Sequence, residues 1–347
     1  MKALFLVGGM GTRLRPLTNK IPKPMVPIMG KPLLERSILN LKNVGIDEVV
    51  LSTCYRAQYI QRHFGDGERF GIRIHHVKED IPLGTGGAIK NTQDYFDDTF
   101  LIFNSDILSD IDLRELIKYH REKAADVTIA VTQVDNPSMY GVIEYDEKGY
   151  AISFKEKPQP HEVTSNFINA GVYVFEPKVL EEIPAGRVVS VEREVFPQLL
   201  KKGYKIAVYK GCSYWIDIGT PEKYLQAHMD IMAGKCRVSG LDFSGKGIYK
   251  GPGSDIHSSV KIYGPVYIGA NVKIEENASI GPNAIIGNNV HIGIGAKIVG
   301  SVIWDDVVVE NGVKLVNTIV ASNCRIKQGC EHYRTVYAEE DSGPMAI

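Results

Sequence analysis

The chain of 347 residues lacks an excess of charge of either sign: 40 Lys and Arg stand against 41 Asp and Glu, a formal net charge of −1. That balance gives no reason to expect a nucleic-acid or membrane surface, so an anionic ligand has to be met by local cations. Long apolar runs are also missing from the start. MKALFLVGG offers five apolar residues in a row after Lys2, too few for a signal-peptide core or a membrane span. Cysteine is sparse and odd in number, with Cys54, Cys212, Cys236, Cys324 and Cys330 and no C-x-x-C spacing. Reduced thiols in a cytoplasmic protein are the economical expectation. Two common phosphate fingerprints are absent as well. Gly30-Lys31 is followed by Pro32, which rules out a P-loop, and Gly9-Met10-Gly11 lacks the third glycine of a Rossmann turn.

What is present is one organising stretch, residues 2–27, KALFLVGGMGTRLRPLTNKIPKPMVP. Its apolar run 3–7 is short enough for a buried strand. Gly8, Gly9 and Gly11 follow around Met10, and glycines let backbone amides approach a ligand and point at its anionic oxygens. Arg13 and Arg15 come next. Lys23 sits between Pro22 and Pro24, whose rings limit the local backbone. A strand, a glycine turn and fixed cations in that order predict a polyphosphate site. The plainer alternative is a tight turn beside ordinary surface cations.

Length and a hydrophobic content of 44% allow two domains with a substantial core. In the first 235 residues strand-like and helix-like segments alternate. Strands are expected at 49–53, 72–77, 100–103 and 127–132, and helices at 33–44, 57–64, 85–92 and 113–122. Such alternation argues for an α/β fold with a mostly parallel sheet covered on both faces. Ligands in such folds bind at the carboxyl ends of strands, where the Gly8 turn and Asp106 both lie. Gly84, Gly86 and Gly87 around Thr85 form a second close-approach turn. Glu79, just before it, can only accept hydrogen bonds, from a ligand or, as a solvated loop acid, from water. Asp106 suits Mg²⁺ beside a phosphate, or a turn cap. Asp112 reads as a helix N-cap. Asp217, between Ile216 and Ile218, is an odd residue for a strand to bury.

These residues carry a resemblance. Residues 8–18 and 22–24 match the signature of the sugar-1-phosphate nucleotidyltransferases, G-G-x-G-T-R-L-x-P-L-T followed by P-K-P, and the likeness runs nearly continuously over residues 2–228. The resemblance implies a Rossmann-like, mixed and mostly parallel sheet. It also implies transfer of a nucleotidyl group from an NTP to a sugar-1-phosphate, with Mg²⁺ as cofactor. Arg13, Lys23, Asp106 and Asp217 inherit catalytic roles, the two aspartates as metal ligands. Leu6, Gly8, Gly9, Gly11, Thr12, Arg13, Glu79, Gly84 and Thr85 inherit nucleotide contacts. The Y-G-V, F-x-E-K-P and N-A-G-x-Y segments give Gly141, Glu156, Lys157 and Asn169 to the sugar phosphate. Asn104-Ser105-Asp106, Glu79 and VEREVFPQLL at 191–200 resemble the guanylyl branch, which implies GTP and mannose-1-phosphate. A glucose-1-phosphate thymidylyl- or uridylyltransferase, a heptose-phosphate guanylyltransferase and a non-catalytic NDP-sugar-binding relative stay open. Val7, where many members carry alanine, is one departure.

From residue 256 isoleucine recurs every six residues, at 256, 262, 268, 274, 280, 286, 292 and 298, with valine or alanine four places later. This period marks a parallel β-helix and resembles the left-handed hexapeptide type, with repeats from about 256 to 330 inside a second domain at 236–347. The frame is expected to slip after Trp304, and the polar tail from 331 to be loose or packed on a neighbour. A short β-helix has open ends, so homo-oligomerisation through it is the expected role. An acyltransferase site at His257 or His291 is the rival.

Overall fold

The computed structural model describes residues 1–241, 243, 247–338 and 344–347. Two compact units emerge: Met1–Met10 with Leu34–Trp215, and Gly11–Leu33 with Ile216–Ile347. They do not follow the chain order of the two expected domains, because the segment carrying Arg13 and Lys23 folds with the C-terminal part.

The first unit is built on β1 (Ala3–Val7), α1 (Leu33–Lys42), β2 (Glu48–Thr53), α2 (Ala57–Phe64), β3 (Arg73–Lys78), α3 (Gly84–Asn91) and β4 (Phe100–Asn104). It continues through α4 (Leu113–Glu122), β5 (Val127–Gln133), β6 (Gly141–Tyr145), β7 (Ala151–Glu156), β8 (Phe167–Phe175), α5 (Phe196–Lys201) and β9 (Ile206–Tyr209). The sheet order is β7-β6-β8-β4-β1-β2-β3, with β5 beside β8 and β9 beside β5. β1 runs parallel to β2 and β4, with Phe5 facing Leu51 on one side and Phe103 on the other. β8 is antiparallel to β4 and β5, which makes the sheet mixed. The central strand β4 is apolar and buried over Phe100–Phe103, as expected of a strand covered on both faces. Phe100, Tyr173, Phe175 and Phe196 form the aromatic heart of the core.

Helix boundaries follow local chemistry. Asp112 accepts the amides of Arg114 and Glu115 at 2.9 and 3.2 Å and starts α4 as a cap. α2 buries Ile60 and Phe64, four residues apart on one face. Residues 191–195 form a π-helical turn before α5.

In the second unit α6 (Pro221–Met232) is capped by the Thr220 hydroxyl and leads toward the β-helix. Three parallel stacks of short strands form its walls. The repeating isoleucines from Ile268 to Ile298 are buried in its bore. Corners at Asn271, Asn277, Asn283 and Asn289 take left-handed backbone angles, which asparagine tolerates better than most residues. The coil holds 18 residues where Val266 faces Ala284 and Ile280 faces Ile298, but 17 where Ile285 faces Val302. The frame therefore slips between Ile298 and Val302, before Trp304 rather than after it. One residue fewer at the Gly300 corner leaves the wall strands in register. The coil also extends further than expected. Glu331–Tyr333 and Thr335–Tyr337 complete it, and Met345–Ala346 pairs antiparallel to the latter. Parts of the segment 240–253 that precedes the repeats, and of the polar tail, fall outside the described residues.

Ile292 is stacked between Ile274 and Val309 and fully buried. Ile292→Ala is expected to destabilise the coil by about 2–5 kcal/mol, the scale for deleting a large aliphatic side chain from a packed interior. Its denaturant midpoint against that of the native chain checks this.

Candidate active site

The glycine turn straddles the two units. In the first, β1 delivers Gly8 and Gly9 at its carboxyl end, one residue beyond Val7. A Cβ on Gly8 would meet Cys54 at 3.7 Å and the Glu79 carboxylate at 3.9 Å. Glu79 is only 5% exposed, so it is not a solvated loop acid. Its Oε1 accepts the Ser52 hydroxyl at 2.8 Å and its Oε2 the Leu83 amide at 3.0 Å. Each oxygen keeps a second lone pair for a further donor. Burial, with the Glu79 charge as the lesser cause, pushes the neighbouring Cys54 thiol up from its ordinary pKa.

The second glycine turn is pinned by residues 189–192. The Gly86 and Gly87 amides donate to the Val189 carbonyl at 2.8 and 3.2 Å. Thr85 donates its hydroxyl to Glu192 at 2.7 Å and accepts the Val191 amide at 2.9 Å. A Cβ on Gly84 would lie 2.5 Å from the Val189 carbonyl oxygen. Glu192 is a residue that motif matching passes over. It lies inside VEREVFPQLL, 107 residues from its Thr85 partner.

Asp106 sits in the turn just beyond β4. The turn is fastened by the Ser105 hydroxyl, which donates to the Leu6 carbonyl at 2.6 Å. Asp110 is used differently: it accepts the Ser213 and Tyr214 amides at 3.0 and 2.8 Å.

The sugar-side residues gather where β6, β7 and β8 run together. Gly141 pairs with Glu156 in register, and a Cβ on Gly141 would lie 2.9 Å from the Glu156 carboxylate. Lys157 follows with a left-handed φ of +50°, a strained setting for a lysine, and its ammonium lies 3.9 Å from Glu156. Asn169 accepts the Gly171 amide at 2.9 Å and donates to the Tyr173 hydroxyl at 2.7 Å. Burial, and then the charge of Glu192, raise the pKa of Glu156 against the opposing pull of Lys157 and Arg193. Tyr173 is fully buried, and its phenol is pushed well above the ordinary range by that burial, with Glu192 adding to it.

In the second unit the structure brings Gly11, Arg13, Lys23 and Asp217 together. Gly11 has φ +62°, and a Cβ there would collide with the Lys23 side chain at 2.8 Å, so glycine is required both by angle and by space. The Thr18 hydroxyl donates to the Gly11 carbonyl at 2.8 Å and closes the loop. Lys23 is 6% exposed beneath it. Arg13, by contrast, is exposed, with its guanidinium 4.0 Å from the Asp217 carboxylate. The other oxygen of Asp217 accepts from Lys223 of α6. Thr12 and Arg13 belong to a short 3₁₀ turn. Asp106 and Asp217 fall in different compact units.

Both aspartates offer hard oxygen donors, the kind that suits Mg²⁺. That ion binds through one or two carboxylates plus substrate phosphates and needs no all-protein cage. Among the described residues no three His, Cys, Asp or Glu side chains form such a cage. Each carboxylate by itself has the chemistry for an ion completed by substrate oxygens.

A mixed sheet with glycine turns at its strand ends, joined to a β-helix, defines an α/β protein of the nucleotide-handling kind. Residues 2–234 match the Nucleotidyl transferase family and residues 245–337 the EIF2B subunit epsilon LbH domain, so the coil is left-handed. The chain belongs to the nucleotidyl transferase family, whose members generally use a divalent metal. Mannose-1-phosphate guanylyltransferase of Mycobacterium tuberculosis is 45% identical over 67% of this chain, and the match spans 65% of that enzyme's length. UTP–glucose-1-phosphate uridylyltransferase of Synechocystis is 36% identical over 78% of this chain and 74% of its own. Among solved structures, HddC from Yersinia pseudotuberculosis complexed with GMP-PN is 32% identical with a TM-score of 0.56. The match covers 65% of this chain and 97% of HddC. No helix among the described residues is long and apolar enough to cross a membrane.

Proposed function

We propose that the chain is a mannose-1-phosphate guanylyltransferase, joining GTP and mannose-1-phosphate to give GDP-mannose and pyrophosphate. The observation that carries this reading is the loop in which Gly11 closes over Lys23 while Arg13 stands beside Asp217. It is a preformed cationic seat in a family that transfers nucleotidyl groups.

An oxygen of the sugar phosphate forms the new bond to the α-phosphorus. The bond from that phosphorus to the bridging oxygen breaks, and pyrophosphate leaves with the electron pair. The nucleophile is already anionic, so no general base is needed, and catalysis reduces to positioning and charge stabilisation. Arg13 and Lys23 meet the charge on the transferred and leaving phosphates. The amides of Gly8, Gly9, Gly11 and Thr12, with Leu6, Gly84 and Thr85, seat the nucleotide. Glu156, Asn169 and Gly141 orient the sugar, and Lys157 anchors its phosphate. Asp106 and Asp217 would hold Mg²⁺, which when bound supplies positive charge to phosphate oxygens.

Glu79 reads guanine in this proposal. Its spare lone pairs accept N1–H and N2–H, and the identity to guanylyltransferases favours GTP. Glu79→Gln places an amide donor against one of those N–H groups, so the preference for GTP over UTP is expected to fall at least about tenfold, the scale for one lost hydrogen bond to a charged group. Pyrophosphate release with GTP, dTTP, UTP, CTP and ATP against mannose- and glucose-1-phosphate tests both the substrate pair and this residue. A native preference for UTP or dTTP would overturn the guanine assignment, and release with no pair would overturn the activity. The five cysteines form no disulfide with one another, which fits a reducing, cytoplasmic setting. The exposed Ile248, Tyr249 and Tyr263 on the first coil support self-assembly through the β-helix. His291 lies 3.0 Å from a Glu275 carboxylate oxygen on the coil surface, and we read it as a structural residue of the coil.

A further inference from the structure

Inside the second unit, the far end of the phosphate loop is gripped by α6 and by the β-helix. Tyr224 of α6 is fully buried. Its hydroxyl donates to the Pro27 carbonyl at 2.5 Å and accepts the indole N–H of Trp304 at 2.9 Å. Trp304 follows the wall strand Val302–Ile303 and is itself buried. One turn along α6, His228 accepts the Met29 amide at Nε2, 3.3 Å away, and donates from Nδ1 to the Tyr224 carbonyl at 2.9 Å. Tyr267, on the wall strand Val266–Ile268, closes the grip. Gly30 has φ +76°, and a Cβ there would lie 2.5 Å from the Tyr267 hydroxyl. The first turn of α6 also carries Lys223, the partner of Asp217.

A tyrosine hydroxyl has one proton and can swing it. With an indole N–H pointed at its oxygen, the proton has a single favourable direction, toward Pro27, and the two bonds polarise one another. We propose that Trp304 is a positioning residue for nucleotidyl transfer: through Tyr224 it fixes the Pro27 carbonyl, and with it the register in which Lys23 and Arg13 meet the phosphates. The β-helix is then part of the catalytic apparatus as well as an assembly surface. This inference rests on the phosphate role given to Arg13 and Lys23 above. Because those cations act on charge that grows toward the transition state, loosening them should lower kcat and spare KM.

The test compares Trp304→Phe, Tyr224→Phe, their double variant and Arg13→Ala in the full chain. Steady-state kinetics with GTP and mannose-1-phosphate are measured beside the folded fraction by circular dichroism. Each relay variant is expected to lower kcat about tenfold with KM within about twofold, since small misplacement of catalytic groups acts on the reacting geometry. The double variant should be no slower than either single one, because both belong to one chain of contacts. Tyr224→Phe deletes one oxygen and keeps the ring, so it decides the matter if Trp304→Phe does not stay folded. A slow Arg13→Ala beside relay variants with normal kcat overturns the relay and leaves the phosphate role standing. Multiplicative losses in the double variant, or losses matched by unfolding, also overturn it. A normal Arg13→Ala overturns the phosphate role and the relay with it.

Discussion

Arg13→Ala is expected to lower kcat by at least about a hundredfold, the scale for removing one preorganised electrostatic group from an active site. The thermal midpoint should stay close to the native one. Arg13 lies on the surface, and its approach to the largely buried Asp217 is a long one at 4.0 Å, while Asp217 keeps Lys223 as its nearer partner, so little folding stability rests on the arginine. A large kinetic loss without a stability loss separates a group that acts on the reaction from one that holds the fold. Asp217→Asn should fall on the same kinetic scale. It keeps the shape of the side chain but leaves Lys223 and Arg13 facing a neutral amide. Calorimetric titration with Mn²⁺ should show weaker binding to this variant, independently of turnover. Near-normal kcat in both variants would sink the assignment of this loop to catalysis.

Glu156→Gln carries the second large effect, and it acts in opposite directions on function and stability. The carboxyl group sits above its ordinary value of 4.5 because of burial and then Glu192. The folded chain therefore holds that proton more tightly than the unfolded chain. Stability from this group is greatest below about the unfolded pKa, declines as pH rises through the folded one, and stays reduced above it. Glutamine does not titrate. The variant should gain in thermal midpoint relative to the native chain as pH rises from 4.5 toward neutrality, then hold a constant advantage. Its kcat/KM for the sugar phosphate should fall by about 10- to 100-fold, the loss expected when charged hydrogen bonds to hydroxyls are removed. A midpoint advantage with unchanged kcat/KM would show a strained carboxylate that has no part in sugar binding.

Much of the site was legible in the sequence because its parts are contiguous. The glycine turn, P-K-P and F-x-E-K-P are each written in a few adjacent residues, and the glycine turn lies at the carboxyl end of β1 as expected. Glu79 was legible as an acceptor, but its burial was not. The Ser52 and Leu83 donors that make burial tolerable lie on different segments. Glu192 escaped altogether. Its meaning comes from standing beside Thr85 and raising the pKa of Glu156, and neither neighbour is near it in the chain.

The sequence alone determined the alternation of strands and helices, the coil of the β-helix and the family signature. Each of these is written in residues a few positions apart, where backbone propensity and side-chain period act directly. Only the tertiary structure decided that the loop Gly11–Leu33 folds with α6 and the β-helix, through Tyr224, His228, Tyr267 and Trp304. It also decided that the coils fall from 18 residues to 17, beginning before Trp304. Contacts between Pro27 and Tyr224, or Tyr224 and Trp304, join residues 197 and 80 positions apart. No local preference encodes such a partner; it is selected when buried hydroxyl, indole and carbonyl groups must satisfy one another away from water.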